Sequence, residues 1–438
     1  MSIPETVGDN VDKYLHSVTL VPDKCHGCTH CLDYCPTEAI RIREGKAVIN
    51  PDRCIDCGEC IRVCKNKAKK AVYDKLEIIT NYKFKIALPA PTLYGQFDNL
   101  DDLDYVIEGL YSMGFDYVYE VSRAAELISE YTRRYLKRTD IPRPVINSAC
   151  PVILRLISLR FPSLANHVMP LMSPMETAAI HARREAKRLH PELCDDDIGV
   201  FFISPCPAKV SYVKNHPDNR RPLIDAVISM KEVYFKLISH MSRENTGEHV
   251  SRSGVVGLSW ATSGGESAAI FNDKYLAADG IDNVIQVLEQ IENNALPSLE
   301  FVELNSCPGG CVGGVMTVAN PFIAKARLQG LRRYLPVTRN FAGGKESGEV
   351  PDEFIIHTEL PKRRIGTFSP DERLSLQDMA KIEELSQKLP QIDCGVCGAP
   401  TCHAFAEDVV RGQADISGCI VCTLKKSDEE GESRDESC

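Results

Sequence analysis

No apolar run in the 438 residues is long enough to cross a bilayer, so no membrane span is expected. The opening residues, Met1-Ser2-Ile3-Pro4-Glu5-Thr6, carry no secretion-signal pattern. Basic charge is also in short supply: 51 Lys and Arg stand against 61 Asp and Glu, a net charge of −10. Phosphate backbones need a basic surface, so no nucleic-acid partner is expected. The length allows two or three domains and a substantial core. What the chain does have in quantity is cysteine, 19 in all. Such a number would mean disulfides in a secreted protein. Here most fall in C-x2-C clusters without a secretion signal, which favours metal ligation in a reducing cytoplasm.

Residues 1–80 contain an internal repeat. Cys25, Cys28, Cys31 and Cys35 form a C-x2-C-x2-C-x3-C set, and Cys54, Cys57, Cys60 and Cys64 repeat it. Between them, Ile40 to Ile42 and Ala47 to Ile49 alternate like two short strands. The unit resembles a bacterial two-cluster ferredoxin, in which the fourth cysteine of each set ligates the other cluster. The resemblance implies one 4Fe–4S cluster on Cys25, Cys28, Cys31 and Cys64, and a second on Cys54, Cys57, Cys60 and Cys35. Zinc knuckles are the competing reading of such cysteines. Lys65, Lys67, Lys69 and Lys70 are read as a solvated helix face.

From residue 81 the pattern changes. Phe84 to Pro89 is predicted as a strand ending at proline, and Leu103 to Met113 as a helix stopping at Gly114. Asp116 to Val121 is predicted as a strand and Ala124 to Lys137 as a helix. Val145-Ile146, Ile198 to Ile203 and Phe301 to Leu304 are short apolar stretches, each leading into a cysteine motif. Strands alternating with helices argue for α/β layers with buried sheets, and such folds build sites just past their strand ends.

The three motifs are Asn147-Ser148-Ala149-Cys150-Pro151, then Ser204-Pro205-Cys206-Pro207-Ala208-Lys209, then Glu303-Leu304-Asn305-Ser306-Cys307-Pro308-Gly309-Gly310-Cys311-Val312-Gly313-Gly314-Val315. Paired thiolates suit a soft metal, and the glycines let backbone come close without Cβ clashes. In order and spacing these stretches resemble the cofactor motifs of the iron–iron hydrogenases, T-S-C-C-P, M-P-C-x-x-K and E-x-M-A-C-x-x-G-C-x-x-G-G-G. The resemblance implies a 4Fe–4S cubane on Cys150, Cys206, Cys307 and Cys311. Cys311 would also bridge to a diiron azadithiolate unit with CO and CN ligands, the whole forming an H-cluster. Lys209 is then expected to give a charge-assisted hydrogen bond to one cyanide, and Ser173 to donate to the other.

The resemblance also implies the architecture. An H-cluster domain of two α/β lobes over 81–345 would follow a ferredoxin-like α+β domain over 1–80. After a linker over 346–373, a small, mostly helical Fe–S module is expected over 374–422, with a disordered tail over 423–438. In that module Leu374 to Leu389 has helical periodicity. The C-G-x-C-G-x-P-x-C run beyond it resembles a small cluster-binding module of anaerobic redox proteins. Cys394, Cys397, Cys402 and Cys419 would hold one further 4Fe–4S cluster, with Cys422 competing for the last place. Cys194 and Cys438 receive no role.

Departures from the family pattern shape the functional expectation. Active members carry a proton-passing cysteine immediately before the first ligand, and here that place is Ala149, whose methyl has no exchangeable proton. Positioned acid–base groups are worth ~10²–10⁴-fold in rate. Ser204 and Asn305 replace two methionines and would tune the site electronically, and Val315 replaces a glycine. Glu126 and Glu130, on one predicted helix, are the candidate outer relay groups. With its extra C-terminal module, the chain resembles the sensory subgroup: a low-turnover hydrogenase acting as an H2 sensor and relaying electrons through accessory clusters. Its expected partners are H2 and protons, a redox or signalling protein, hydrogenase maturation proteins and a second copy of the chain. One alternative is a catalytic hydrogenase with a non-standard proton path. The other is a hydrogenase-like iron–sulfur assembly factor without a diiron site. Against the latter stand the complete ferredoxin unit and the Asp435-Glu436-Ser437-Cys438 ending, where an aromatic tail would be expected.

Overall fold

A computed structural model describes residues 16–215, 222–241, 250–341, 349–360 and 375–423. Most of the expected linker and tail, with Cys438, lies outside these residues. In the N-terminal unit, β1 (Val18–Leu20), β2 (Ile40–Arg43), β3 (Lys46–Ile49) and β4 (Lys69–Ala71) form two antiparallel pairs, β1 with β4 and β2 with β3. Lys69 therefore belongs to a strand and not to a solvated helix face. Its side chain is turned inward and buried, whereas Lys65, Lys67 and Lys70 are exposed.

The remaining described strands are β5 (Phe84–Pro89), β6 (Tyr117–Val118), β7 (Val145–Ile146), β8 (Ile198–Ser204), β9 (Ala226–Ser229), β10 (Tyr275–Asp279) and β11 (Phe301–Asn305). All pair in parallel, in two sheets of order β6-β5-β8-β9 and β10-β11-β7. These are the two α/β lobes. The seven residues of β8 are all buried, as expected of a parallel strand covered on both faces by helices. One covering helix, Pro174–Leu189, opens with proline at its first turn and a capping box from Ser173 to Glu176. It presents the small buried residues Ala178, Ala179, Ala182 and Ala186, so it lies close to its neighbours.

The predicted strand over Asp116 to Val121 is largely overturned: pairing lasts only for Tyr117–Val118, and a helix spans Val121–Tyr135. Buried Glu120 ends the strand. Its carboxylate accepts hydrogen bonds from Tyr94 Oη (3.2 Å), Ser251 Oγ (2.8 Å) and Arg252 N (2.6 Å), which fixes a corner there. At the C-terminal end, helices Leu376–Lys388 and Cys402–Val410 pack on each other around Ile382, Phe405 and Cys419.

Candidate metal centres

The central site is assembled from strand ends of both sheets. Cys150 follows β7, Cys206 follows β8, and Cys307 and Cys311 follow β11. Cys150 and Cys206 each stand at the N-cap of a helix that opens with proline, Pro151–Arg160 and Pro207–Lys214. Proline brings no orphan N–H to the first turn, and the positive helix end favours a thiolate or an anionic cluster. The four thiols line one cavity with about 870 Å³ of space free of protein atoms, part of it open to solvent. Burial pushes the thiols of Cys206, Cys307 and Cys311 up, Cys311 to about 12, with the neighbouring cysteines adding to the shift at Cys206. Soft iron that displaces those protons relieves both effects, so the donor set fits an iron–sulfur centre.

Lys209 and Ala149 also line the cavity. The Lys209 ammonium lies 5.6 Å from the Phe202 ring centroid and 3.5 Å from the Ala149 carbonyl oxygen, which accepts its hydrogen bond. Asn305 lines the cavity too, with its Nδ2 donating to Glu303 Oε1 at 2.9 Å. Ser204 and Ser173 sit one step back, outside the lining set. The Ser204 hydroxyl exchanges 3.1 Å hydrogen bonds with the backbone of Cys206 and so shapes the ligand loop. The Ser173 hydroxyl donates to Glu176 Oε2 at 2.8 Å as part of the helix cap.

The glycines of the third motif answer to backbone packing. A Cβ at Gly310 would come within 2.4 Å of Ser263 N, one at Gly313 within 2.1 Å of Pro308 O, and one at Gly314 within 2.3 Å of Pro205 O. Val315 packs against Gly58 of the ferredoxin unit, where a Cβ would meet its Cγ2 at 2.8 Å. Glu126 and Glu130 do not line the cavity. Glu126 accepts from Thr338 Oγ1, Arg339 N and Asn340 N, each at 2.8 Å, and so clamps distant loops together. Glu130 pairs with Arg134.

Two cavity residues went unnoticed in the sequence as proton-holding groups, Glu266 and Glu303. Glu303 accepts from Gly264 N (3.0 Å) and Ser267 N (2.8 Å), and Glu266 Oε2 accepts from Asn147 Nδ2 (2.9 Å). Glu266 Oε1 is buried with no hydrogen-bond partner among the described residues. Burial, and then the charge of Glu303, hold the Glu266 carboxyl well above the usual carboxylate range, and burial raises Glu303 as well. Both shifts favour the protonated form, and the two carboxyls titrate as a pair. Glu303 heads the third motif and carried a signal. Glu266, in Gly264-Gly265-Glu266, carried none that separates it from a surface acid.

In the N-terminal unit Cys35, Cys54, Cys57 and Cys60 line a single cavity. Burial raises Cys60 to about 12, with Cys35 the next cause, and raises Cys31 to about 11, with Cys28, Cys25 and Cys64 contributing to its shift. The repeat thus brings the fourth cysteine of each set to the other set. Near the C-terminus Cys394, Cys397, Cys402 and Cys419 line a third cavity, while Cys422 is not among its lining residues. Exposed Cys194 donates from Sγ to Asp197 Oδ2 at 2.9 Å.

Comparison with known proteins follows the same division. The family "Iron only hydrogenase large subunit, C-terminal domain" matches residues 83–272 and 236–315, together more than half of the chain. A 4Fe-4S dicluster domain matches 17–65, and a putative Fe-S cluster family matches 389–421. The periplasmic [Fe] hydrogenase large subunit of Nitratidesulfovibrio vulgaris is 26% identical over 369 residues, covering 68% of this chain and 86% of that protein. The NADP-reducing hydrogenase subunit HndD of Solidesulfovibrio fructosivorans is 24% identical over 259 residues, 46% of this chain and 43% of its own length. A solved [FeFe]-hydrogenase HydA1 from Chlamydomonas reinhardtii aligns over 57% of this chain and 84% of that one, with 19% identity and a TM-score of 0.44. Among the described residues no helix is long and apolar enough to cross a membrane.

Proposed function

The chain belongs to the iron-only hydrogenase large-subunit family, and from that premise we propose that it is a low-turnover hydrogenase serving as an H2 sensor. Cys150, Cys206, Cys307 and Cys311 would hold the H-cluster, which when bound supplies the redox chemistry that splits or forms H2. Lys209 supplies a positive charge beside it, and Phe202, Val121, Met175 and Trp260 give the cavity an apolar wall. The observation that carries the sensory reading is the Ala149 methyl in the cavity wall. It breaks the usual proton relay one station from the site, and a sensor needs occupancy or redox state where a producer needs flux.

Electrons are relayed through 4Fe–4S clusters on the two N-terminal cysteine sets and on Cys394, Cys397, Cys402 and Cys419. The same proposal includes maturation proteins that deliver the diiron unit, a redox or signalling partner, and a cytoplasmic setting. Infrared spectra of matured protein under H2 and under inert gas test it: bands of iron-bound CO and CN that change with H2 are expected. Absence of such bands after maturation favours the assembly-factor reading instead.

A faster hydrogenase with its own proton route is the second reading, and Glu266 favours it. Its carboxyl lines the cavity and can hold a proton at Oε1, where no hydrogen-bond partner competes among the described residues. On this reading Glu266→Gln lowers H2 turnover by ~10²–10⁴-fold with the infrared bands retained. On the sensory reading the already slow turnover changes little, and Ala149→Cys alone restores little.

A further inference from the structure

We infer that the C-terminal module is the outer terminus of one file of clusters, clamped onto the ferredoxin unit so that it exchanges electrons with the cluster of Cys25, Cys28, Cys31 and Cys64. The inference rests on the cluster assignments proposed above. The module's loop lies along the β2 edge: Ile42 N donates to Gly398 O at 2.8 Å, and a Cβ at Gly398, where φ is +82°, would meet Ile42 O at 2.3 Å. Gly395, next to Cys394, is so close to the helix bearing Cys31 that a Cβ there would meet Thr29 Cγ2 at 3.3 Å and Leu32 Cδ2 at 3.5 Å. A single added carbon would therefore fill the gap between the two ligand-bearing segments.

A buried clamp holds them there. Asp408, fully buried, accepts from Arg41 Nε at 2.7 Å and also pairs with Arg43, while Arg53 Nη2 reaches both oxygens of Glu407 at 2.9 Å. Both carboxylates lie toward the C-terminal end of helix Cys402–Val410, the wrong end for negative charge, and guanidinium groups from the other unit offset that. Next to the other cysteine set of the ferredoxin unit, Gly58 beside Cys57 meets Val315, and Arg62 Nη2 donates to Gly313 O at 2.7 Å. The order is thus the central site, the Cys35–Cys54–Cys57–Cys60 cluster, the Cys25–Cys28–Cys31–Cys64 cluster, and the C-terminal cluster. In the last step one electron leaves the reduced N-terminal cluster and enters the oxidised C-terminal one, so each changes by a single unit of charge.

Low-temperature electron paramagnetic resonance of the anaerobic full chain, cluster-loaded and reduced with dithionite, tests this. The wild type is expected to show broadened, fast-relaxing N-terminal signals. In the Cys397→Ser/Cys402→Ser variant iron falls by about four atoms per chain and those signals sharpen. If iron falls and the remaining signals keep their shape and relaxation, the cluster assignment stands and the docked relay is overturned. If iron does not fall, assignment and inference fail together. Arg43→Gln/Arg53→Gln, which leaves every ligand in place, is expected to sharpen the same signals at unchanged iron content. Unchanged coupling in that variant would overturn the clamp.

Discussion

In the N-terminal unit Cys54, Cys57 and Cys60 come from one short stretch of chain, a loop running into helix Glu59–Arg62, and a single exchanged cysteine completes the set. In the central site Cys150, Cys206 and Cys307 come from three strands belonging to two separate sheets. The first kind of site is written in local spacing, and iron binding can supply much of the energy that orders it. The second exists only after β5, β8 and β11 have buried their side chains in two large cores, around Leu88, Phe201 and Val227 in one and around Ile153, Val302 and Leu304 in the other. On the proposed cluster assignments, metal would organise one region and occupy the other.

The largest test of that contrast is loss of one ligand on each side. Cys206→Ser is expected to abolish the infrared bands and all turnover, with the melting of the metal-free chain nearly unchanged. Cys57→Ser should keep the infrared bands and remove one N-terminal resonance signal. Next comes the seam between the regions. Asp56, 1% exposed, accepts from Arg155 Nη1 at 2.8 Å and from Ser211 Oγ at 2.6 Å. Asp56→Ala leaves a partly buried guanidinium without that carboxylate, and a loss of about 3–5 kcal/mol in urea unfolding is expected.

A smaller effect is expected from pH. The Glu266 carboxyl is raised in the folded chain, so above the ordinary unfolded value near ~4.3 the folded state binds more protons than the unfolded one. Its stabilising contribution is full below that value and is lost as pH rises toward the folded pKa. Stability of the metal-free chain should drop by up to ~1.4 kcal/mol per pH unit over that range. Glu266→Gln should flatten the slope in denaturant melts at successive pH values. The smallest effect is that of Lys69, buried with Nζ unpartnered among the described residues and close enough to Cys31 and Cys60 to oppose the rise of their thiols. Lys69→Met should stabilise the metal-free chain by ~1–3 kcal/mol. A redox titration should show lower potentials for the N-terminal clusters once that charge is gone.

Legibility followed the same contrast. β2, β3 and β5, the helix after Leu103, and the grouping of the cysteines by spacing were readable because spacing and periodicity are local. Which strands share a sheet was not, since β8 and β11 are both plain apolar runs that lead into cysteine motifs. The early end of β6 depended on Glu120 meeting Ser251 and Arg252, 131 and 132 residues away. The burial of Lys69 depended on strand pairing that no helix-like lysine spacing discloses. Glu266 acquires its character only beside Glu303, 37 residues along the chain, and beside Asn147 in the first motif.

The meeting of Gly58 with Val315 limits how such proteins can be re-engineered. A ferredoxin grafted from elsewhere would have to bring a residue without a side chain, at φ +80°, opposite that valine, together with an acid aimed at Arg155. The electron-carrying unit behaves as a keyed part cut for this lock, and exchanging it for a foreign cassette would require recutting residue 315 at the same time.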